Sequence, residues 1–395
     1  MNLALIFSTW NLAFRGAFTF AGLWDDPRGL SGSEVAFVQY ARALKAAGHE
    51  VTLYTDSTDQ DFEGMAVRPL DARTITPHDA AISFNDPEPL RHFTGALRVF
   101  VQYVNSFDYC EHDMPSFVDL FVSPSEAHCR MLTGKTWPLK TGKWTPDPRD
   151  WVVVPLACDP SEYSGDKVPG RVIHCSSPDR GLHWLLQEWP AIKRAVPHAE
   201  LHIYYRLRAW LDQWDRTKYN PALESSRARA LHIEECFRRM GDRWGVFVHD
   251  AVSRREIATA LSEAELLAYP CDTVAWTEGF SCSTLEACAA RACPVIWDTD
   301  ALGDIYRDAA VVTPRGDTER WRKTVIELLT NQRLRDDVND RAEAFAETMT
   351  WTNSTKKLLD AIQSRCRASS VSASPTRPLP VGSETCSPSP AAASL

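Results

Sequence analysis

Tyr269-Pro-Cys-Asp-Thr-Val-Ala-Trp-Thr-Glu-Gly-Phe-Ser-Cys-Ser-Thr-Leu-Glu-Ala287 joins the end of an apolar run, a loop and the start of a helical pattern. The run before it, Glu265–Tyr269, reads as a strand. Residues 284–292 carry an Ala-rich helical face that stops before Pro294, and residues 294–297 read as the next strand. Strand, loop, helix, strand is the repeating unit of a parallel sheet covered by helices. A helix start near Ser283 offers free backbone N–H groups and a positive dipole end, which suit a phosphate. Glu278 lies just before it, placed to hydrogen-bond a neutral sugar. Glu286 lies in the first turn, where it could accept from a ribose. Ser283-Thr-Leu-Glu286 also fits the S-x-x-E capping box, so spacing alone leaves Glu286 open between cap and ligand.

The same alternation runs outward in both directions. Asn2–Phe7 is strand-like, and the loop Arg28-Gly-Leu-Ser-Gly-Ser-Glu34 leads to a helix over 35–47 and a strand at 50–54. Further strands are expected at Ala80–Phe84, Leu97–Val101, Leu120–Ser123 and 151–155. Polar residues with Pro and Gly over 157–170 mark a linker. Beyond it the pattern predicts strands at 171–175, Glu200–Tyr204 and 245–249. Helices are predicted at Leu182–Ala195, across 206–243 with a break at Pro221, at 254–261, Thr318–Thr330, 334–348 and 355–364. The expected organisation is an α/β chain of two Rossmann-like domains with parallel sheets facing across a cleft. Residues 1–160 form the first and 161–350 the second. A helix at 351–366 packs back on the first, and a Ser/Pro/Ala-rich tail at 367–395 is expected to be disordered. In open α/β sheets ligands bind beyond the carboxyl ends of strands, so two facing sheets suit a donor and an acceptor.

Composition excludes several classes. The formal net charge is −9, and residues 1–155 hold 13 Lys+Arg against 19 Asp+Glu. That balance is wrong for binding nucleic acid by phosphate neutralisation, or for docking on an anionic membrane. Lys135, Lys140, Lys143 and Arg149, interleaved with Trp137 and Trp144, form one candidate for a local basic patch. Eleven scattered cysteines without a C-x-x-C pair read as reduced structural thiols, among them Cys175, Cys271 and Cys288 in apolar stretches. With no basic n-region at Met1 and no long apolar run, the expected location is cytoplasmic, with peripheral membrane attachment left open.

The segments taken together resemble the retaining glycosyltransferases of family 4, the group 1 transferases with the GT-B fold. Their E-x7-E signature is met by Glu278 and Glu286. The resemblance continues in Ala292-Cys-Pro-Val-Ile296, Ser176-Ser-Pro-Asp-Arg-Gly-Leu182, Gly29-Leu-Ser-Gly-Ser-Glu34 and Leu44…Gly48-His-Glu-Val51, over about residues 1–365. It implies that Glu278 and Arg180 are catalytic. Glu278 would hold the donor sugar, and Arg180 would neutralise the leaving diphosphate as charge grows on it. Gly279, Phe280, Ser281, Thr284 and Glu286 would bind the donor, with Glu286 on the ribose. As a loop ligand, Glu278 should be replaceable by Ala without loss of the fold. Gly32 and Ser33 would lie in a flexible loop near donor phosphates and acceptor; a plain helix-entry loop capped by Ser31 or Ser33 fits those residues equally well. The partners implied are a nucleotide diphosphate-sugar donor and a glycan, lipid-linked or small-molecule acceptor, with no metal or other cofactor required.

Two positions depart from the family. Many members carry a second basic residue five positions before the Arg180 equivalent, where this chain has Cys175. Many carry a His after a strand of the first domain, where this chain reads Val101-Gln-Tyr-Val-Asn-Ser-Phe-Asp108. Tyr103, Asn105, Asp108 and His112 are the candidates to replace it. These departures keep two alternatives in view: a catalytically weak nucleotide-sugar or glycan-binding protein, and a transferase acting on DNA bases through the Lys/Trp stretch. Other signals fall away. Thr133-Gly-Lys-Thr136 lacks the upstream Gly of a P-loop, since residue 129 is Cys. No G-x-G-x-x-G follows the first strand. Asp298-Thr-Asp300 mimics a metal-binding pair but follows a strand end in the position of a family loop. His232…Glu235 lacks a second His at helical spacing.

Overall fold

Leu3, Leu5 and Phe7 point to one core and Ala4 and Ile6 to another, so the first strand is covered on both faces, as a central parallel strand must be. The computed structural model describes residues 1–8, 19–71, 75–107, 110, 114–216, 224–240 and 244–372. Strand β1 (Asn2–Phe7) pairs in parallel with β2 (Glu50–Thr55) and, beyond β3 (Asp61–Phe62) and β4 (Met65–Arg68), with β5 (Ala80–Phe84). The strands β6 (Leu97–Val101), β7 (Leu120–Ser123) and β10 (Trp151–Val153) extend the sheet on that side. The order is β10-β7-β6-β5-β1-β2-β4-β3, and only β3 runs antiparallel to its neighbour. Between β7 and β10 lie α2 (Glu126–Thr133) and a hairpin of β8 (Trp137–Leu139) and β9 (Gly142–Trp144).

The second sheet is parallel throughout. Its strands are β11 (Arg171–His174), β12 (Glu200–Tyr204), β13 (Val246–His249), β14 (Leu266–Tyr269), β15 (Cys293–Asp298) and β16 (Val311–Pro314), ordered β13-β12-β11-β14-β15-β16. One face is filled by Trp189, Trp297 and Trp321 with their aliphatic neighbours. The other joins the first sheet in a shared core that reaches from Phe37 and Phe84 to Phe280 and Tyr306.

Helices complete the layers. The helix α1 (Gly32–Ala46) enters on a capping box: Ser31 Oγ accepts from Glu34 N–H at 3.3 Å and Glu34 Oε2 from Ser31 N–H at 2.6 Å. The second half contributes α3 (Leu182–Ala195), α4 (Leu207–Arg216), α5 (Glu224–Arg239), α6 (Arg254–Glu263), α7 (Cys282–Ala289), α8 (Leu302–Tyr306), α9 (Thr318–Thr330) and α10 (Gln332–Thr348). The break expected at Pro221 lies outside the described residues. The last helix, α11 (Trp351–Ser372), returns to the first sheet. Tyr40 on α1 meets Ser354 at 2.8 Å between hydroxyls, and Arg365 reaches Asp150 at 2.6 Å and the Asp119 carbonyl at 2.9 Å. Disorder expected from residue 367 is corrected up to Ser372, where the helix continues; the remainder lies outside the described residues. Among the described residues no helix is long and apolar enough to cross a membrane.

Candidate active site

Between the two sheets lies a cavity of about 1110 Å³. The first half lines it with residues 28–35 and Tyr103. The second half lines it with Ser176, Ser177, Arg180, Tyr204, residues 277–283 and Glu286. Arg180, Glu278 and Glu286, from three segments, reach the same space.

Glu278 is 4% exposed at the end of the loop after β14. Its Oε2 accepts from Arg180 Nη1 at 2.8 Å and from the Tyr269 hydroxyl at 2.5 Å, and Tyr269 in turn accepts from Ser176 Oγ at 3.0 Å. Strands β11 and β14 are paired neighbours, which brings these groups together. The Glu278 carboxylate, working against burial, holds the Arg180 guanidinium above its usual range. Burial pushes the Tyr269 phenol well up, so it stays a neutral donor. Glu278 is therefore more than a loop ligand: replacing it by Ala also strips Arg180 of its counter-ion.

The turn carrying Arg180 is fixed by backbone geometry. Arg180 N–H donates to the Ser177 carbonyl at 3.0 Å, and Gly181 follows with φ +103°. A Cβ on Gly181 would stand 1.9 Å from the Pro270 carbonyl oxygen, so no side chain fits. Arg229 on α5 donates to the carbonyls of Asp179 and Asp272 and to Asp272 Oδ2 at 3.0 Å. Arg315 Nε and Trp184 Nε1 also bond Asp272, each at 3.0 Å. Asp272 and Arg229 therefore clamp the two loops that present Arg180 and Glu278. Neither was legible in the sequence, because their partners come from distant segments.

Helix α7 begins at Cys282, within a residue of the start expected near Ser283. Its cap is Ser281, in the left-handed region at φ 73°, whose Oγ accepts from Thr284 N–H at 3.3 Å and meets Thr284 Oγ1 at 2.8 Å. Thr284 is fully buried and does not line the cavity, which corrects its expected contact with a donor. Phe280 and Ser281 do line it. The N–H of Thr284 is taken by Ser281, while Cys282 and Ser283, whose N–H groups have no carbonyl partner inside the helix, line the cavity. The Ser283–Glu286 capping box does not form. Instead Glu286 Oε1 accepts from Arg254 Nη1 at 2.6 Å, while Arg254 Nη2 donates to Glu162 Oε2 at 2.9 Å and to the Tyr163 hydroxyl. Burial pushes Glu286 up and Arg254 opposes it. Arg254, itself penalised by burial, is held charged by Glu286, Tyr163 and Glu162. It too lines the cavity, beside the Cys175 thiol that burial keeps neutral.

From the first half, Ser31 proves to be the cap of α1, and Ser33 Oγ accepts from Asn85 Nδ2 at 3.0 Å. Gly32 abuts Cys282: a Cβ there would meet its Sγ at 3.0 Å. Tyr103 reaches the cavity, but Asn105 donates from Nδ2 to the Trp276 carbonyl and serves as a contact between the halves. Ser125 Oγ donates to the Gly279 carbonyl at 2.7 Å, and a Cβ on Gly279 would lie 2.8 Å from His128 Cδ2. Gly279 thus owes its identity to this close approach. His128 was not anticipated. Its Nε2 faces the Val104 carbonyl at 3.2 Å and its Nδ1 the Ser123 hydroxyl at 2.8 Å. Burial lowers it to about 4, so it is a neutral packing group. Asp108 and His112 lie outside the described residues, and no histidine lines the cavity among the described ones. Asp298 and Asp300 face protein groups, and no cluster of three or more His, Cys, Asp or Glu fit for a metal occurs among the described residues.

Residues 169–331 match the family model described as glycosyl transferases group 1. No curated protein matches the chain by sequence. Solved structures similar to it include AviGT4, a glycosyltransferase involved in avilamycin A biosynthesis, at 15% identity and TM-score 0.66, covering 93% of this chain and 98% of that one. Sucrose-phosphate synthase from Thermosynechococcus elongatus aligns at 13% identity and TM-score 0.62, covering 93% and 100%. The α,α-trehalose 6-phosphate synthase from Burkholderia multivorans aligns at 11% identity and TM-score 0.63, covering 96% and 100%. At these identities the likeness shows the fold, which is GT-B. The family match and the fold together support glycosyl transfer.

Proposed function

We propose that this protein is a retaining glycosyltransferase that moves a sugar from a nucleoside diphosphate donor to an acceptor hydroxyl. The observation that carries the reading is the entry of Arg180, Glu278 and Glu286 into one cavity at the N-terminus of α7. The diphosphate lies against the Arg180 guanidinium and the first-turn N–H groups, where a fixed cation and a helix dipole stabilise negative charge. Glu286, braced by Arg254, accepts from the ribose hydroxyls. Glu278 accepts from the sugar hydroxyls and orients the ring.

In the reaction the bond from the anomeric carbon to the diphosphate oxygen breaks, and its electron pair leaves with the diphosphate toward Arg180. The acceptor oxygen bonds the anomeric carbon on the same face and passes its proton to the departing phosphate oxygen. No side-chain nucleophile and no metal is needed for that sequence. Tyr103 and the loop 28–35 flank the acceptor's approach. The acceptor class is a glycan, a lipid-linked sugar or a small molecule, and the setting is the cytoplasm or a membrane surface.

A second reading, a nucleotide-sugar-binding protein with little turnover, draws on two observations: Arg180 is already paired with Glu278, and no described histidine lines the cavity. A thermal-shift screen with UDP, GDP, ADP and CMP tests the shared premise. A true ligand at 100 times its Kd should stabilise by about 2.7 kcal/mol. No shift with any nucleotide would end both readings. Turnover of a donor-sugar panel separates them. A gel shift with duplex DNA at low salt tests the hairpin carrying Lys135, Lys140 and Lys143 as a nucleic-acid contact.

A further inference from the structure

In the segment Asp298-Thr-Asp300 neither aspartate lines the donor cavity, and Asp300 faces protein groups instead. Its Oδ2 accepts three hydrogen bonds: from Thr273 Oγ1 at 3.0 Å, Thr277 N–H at 2.9 Å and the N–H of Glu278 itself at 2.9 Å. On either side of it, Ala301 N–H donates to the Glu278 carbonyl at 3.2 Å, and Thr299 Oγ1 to the Cys271 carbonyl at 2.7 Å. The turn after β15 therefore holds the loop that carries Glu278 at both ends and at the backbone of Glu278. Asp300 sits at φ 52°, a left-handed conformation that Asp and Asn accept better than other side chains. A non-glycine residue kept in that region by its surroundings, with one oxygen aimed at three donors, is a built anchor.

We infer that Asp300 is a positioning residue for the sugar end of the donor, acting through the backbone of Glu278. This rests on the reading that Glu278 holds the sugar. Its consequence is specific: Glu286 is braced by Arg254, the α7 N-terminus by Ser281 and Tyr306, and the Arg180 turn by its own backbone, so the Arg180–Glu278 ion pair links the nucleotide end to Asp300 and that end should suffer far less than the sugar end. The bond from Thr277 N–H and the bond from Glu278 N–H need only an acceptor of the right size, which an Asn carbonyl oxygen supplies.

The test compares wild type, Asp300→Ala and Asp300→Asn by calorimetry with a nucleoside diphosphate and with the matching nucleotide sugar, and by kcat and KM. In Asp300→Ala the diphosphate affinity is expected to fall much less than the contribution of the sugar. The extra affinity contributed by the sugar should be lost, and kcat should fall by about 100-fold, the penalty of a misplacement near 1 Å. Asp300→Asn should recover most of both. Equal losses for diphosphate and sugar, or no loss in either, would overturn the inference. If wild type binds no nucleotide sugar, the functional reading fails instead. Asp300 is then judged by amide hydrogen exchange at Thr277 and Glu278 in full-length Asp300→Ala, where faster exchange is expected and unchanged rates would refute the anchor.

Discussion

Replacing Arg254 by Met removes one guanidinium that serves Glu286 at 2.6 Å and Glu162 at 2.9 Å, with its side chain 7% exposed. Stripping one partner from a buried ion pair costs about 3–5 kcal/mol, because a charge is left without compensation. For a domain of this size that lowers Tm by roughly 6–20 °C. The loss carries a pH signature. Burial raises Glu286 and Arg254 is the main opposing influence, so its removal raises Glu286 further. Around Glu286 stand Cys158, Cys175, Cys282 and Tyr163, all kept neutral by burial, together with Glu162, so nothing replaces the lost cation. From the ordinary carboxyl range up to the raised folded value, the native state holds a proton that the unfolded chain has released. Stability of the variant therefore falls as pH rises through that window, by up to about 1.4 kcal/mol per pH unit. Thermal unfolding of wild type and Arg254→Met at pH 5 and pH 8 should show a gap that widens at the higher pH, and adding Glu286→Gln should flatten it. Equal gaps at both pH values, or a gap that shrinks on raising the pH, would refute the assignment of Arg254 as the partner of Glu286.

Arg180→Ala should weaken nucleoside diphosphate binding by about 1.5–3 kcal/mol, the range for hydrogen bonds to charged groups; an unchanged Kd by calorimetry would contradict that. Glu278→Gln should abolish turnover while leaving Arg180 a neutral acceptor, whereas Glu278→Ala removes the acceptor as well and should be less stable than Glu278→Gln by about 1–3 kcal/mol, a modest figure because Arg180 is 31% exposed. Equal melting of the two variants would disprove the role of Glu278 as the hydrogen-bond acceptor that holds Arg180. Gly181→Ala meets the Pro270 carbonyl oxygen at 1.9 Å with φ +103° and should cost at least about 1–3 kcal/mol in denaturant unfolding. A neutral result would mean the Arg180 turn is not held as described.

The sheet strands were legible because parallel strands covered on both faces are continuous apolar runs. Ala80–Phe84, Leu97–Val101 and Leu120–Ser123 have the bounds their sequence implies. The short strands β3, β4, β8, β9 and β16 and the helix α2 were not expected. Most are only a few residues long and partly exposed, and no period is readable over so short a span. The start of α7 lies within a residue of its expected place, but its cap, Ser281, takes a left-handed φ that no local preference announces. At the site, Glu278, Glu286 and Arg180 stood out through the E-x7-E spacing and the family resemblance of the segments that carry them. Arg254, Arg229, Asp272 and Asp300 did not, since their roles arise only when segments far apart in the chain meet.

A crystal structure of the protein with a bound nucleoside diphosphate tests the shared donor site most directly. Phosphate oxygens are expected within about 2.7–3.2 Å of the Arg180 guanidinium and the first-turn N–H groups of α7, with ribose hydroxyls at Glu286. A diphosphate seated elsewhere on the molecule, with Arg180, Glu286 and the α7 N-terminus untouched, would contradict the assignment.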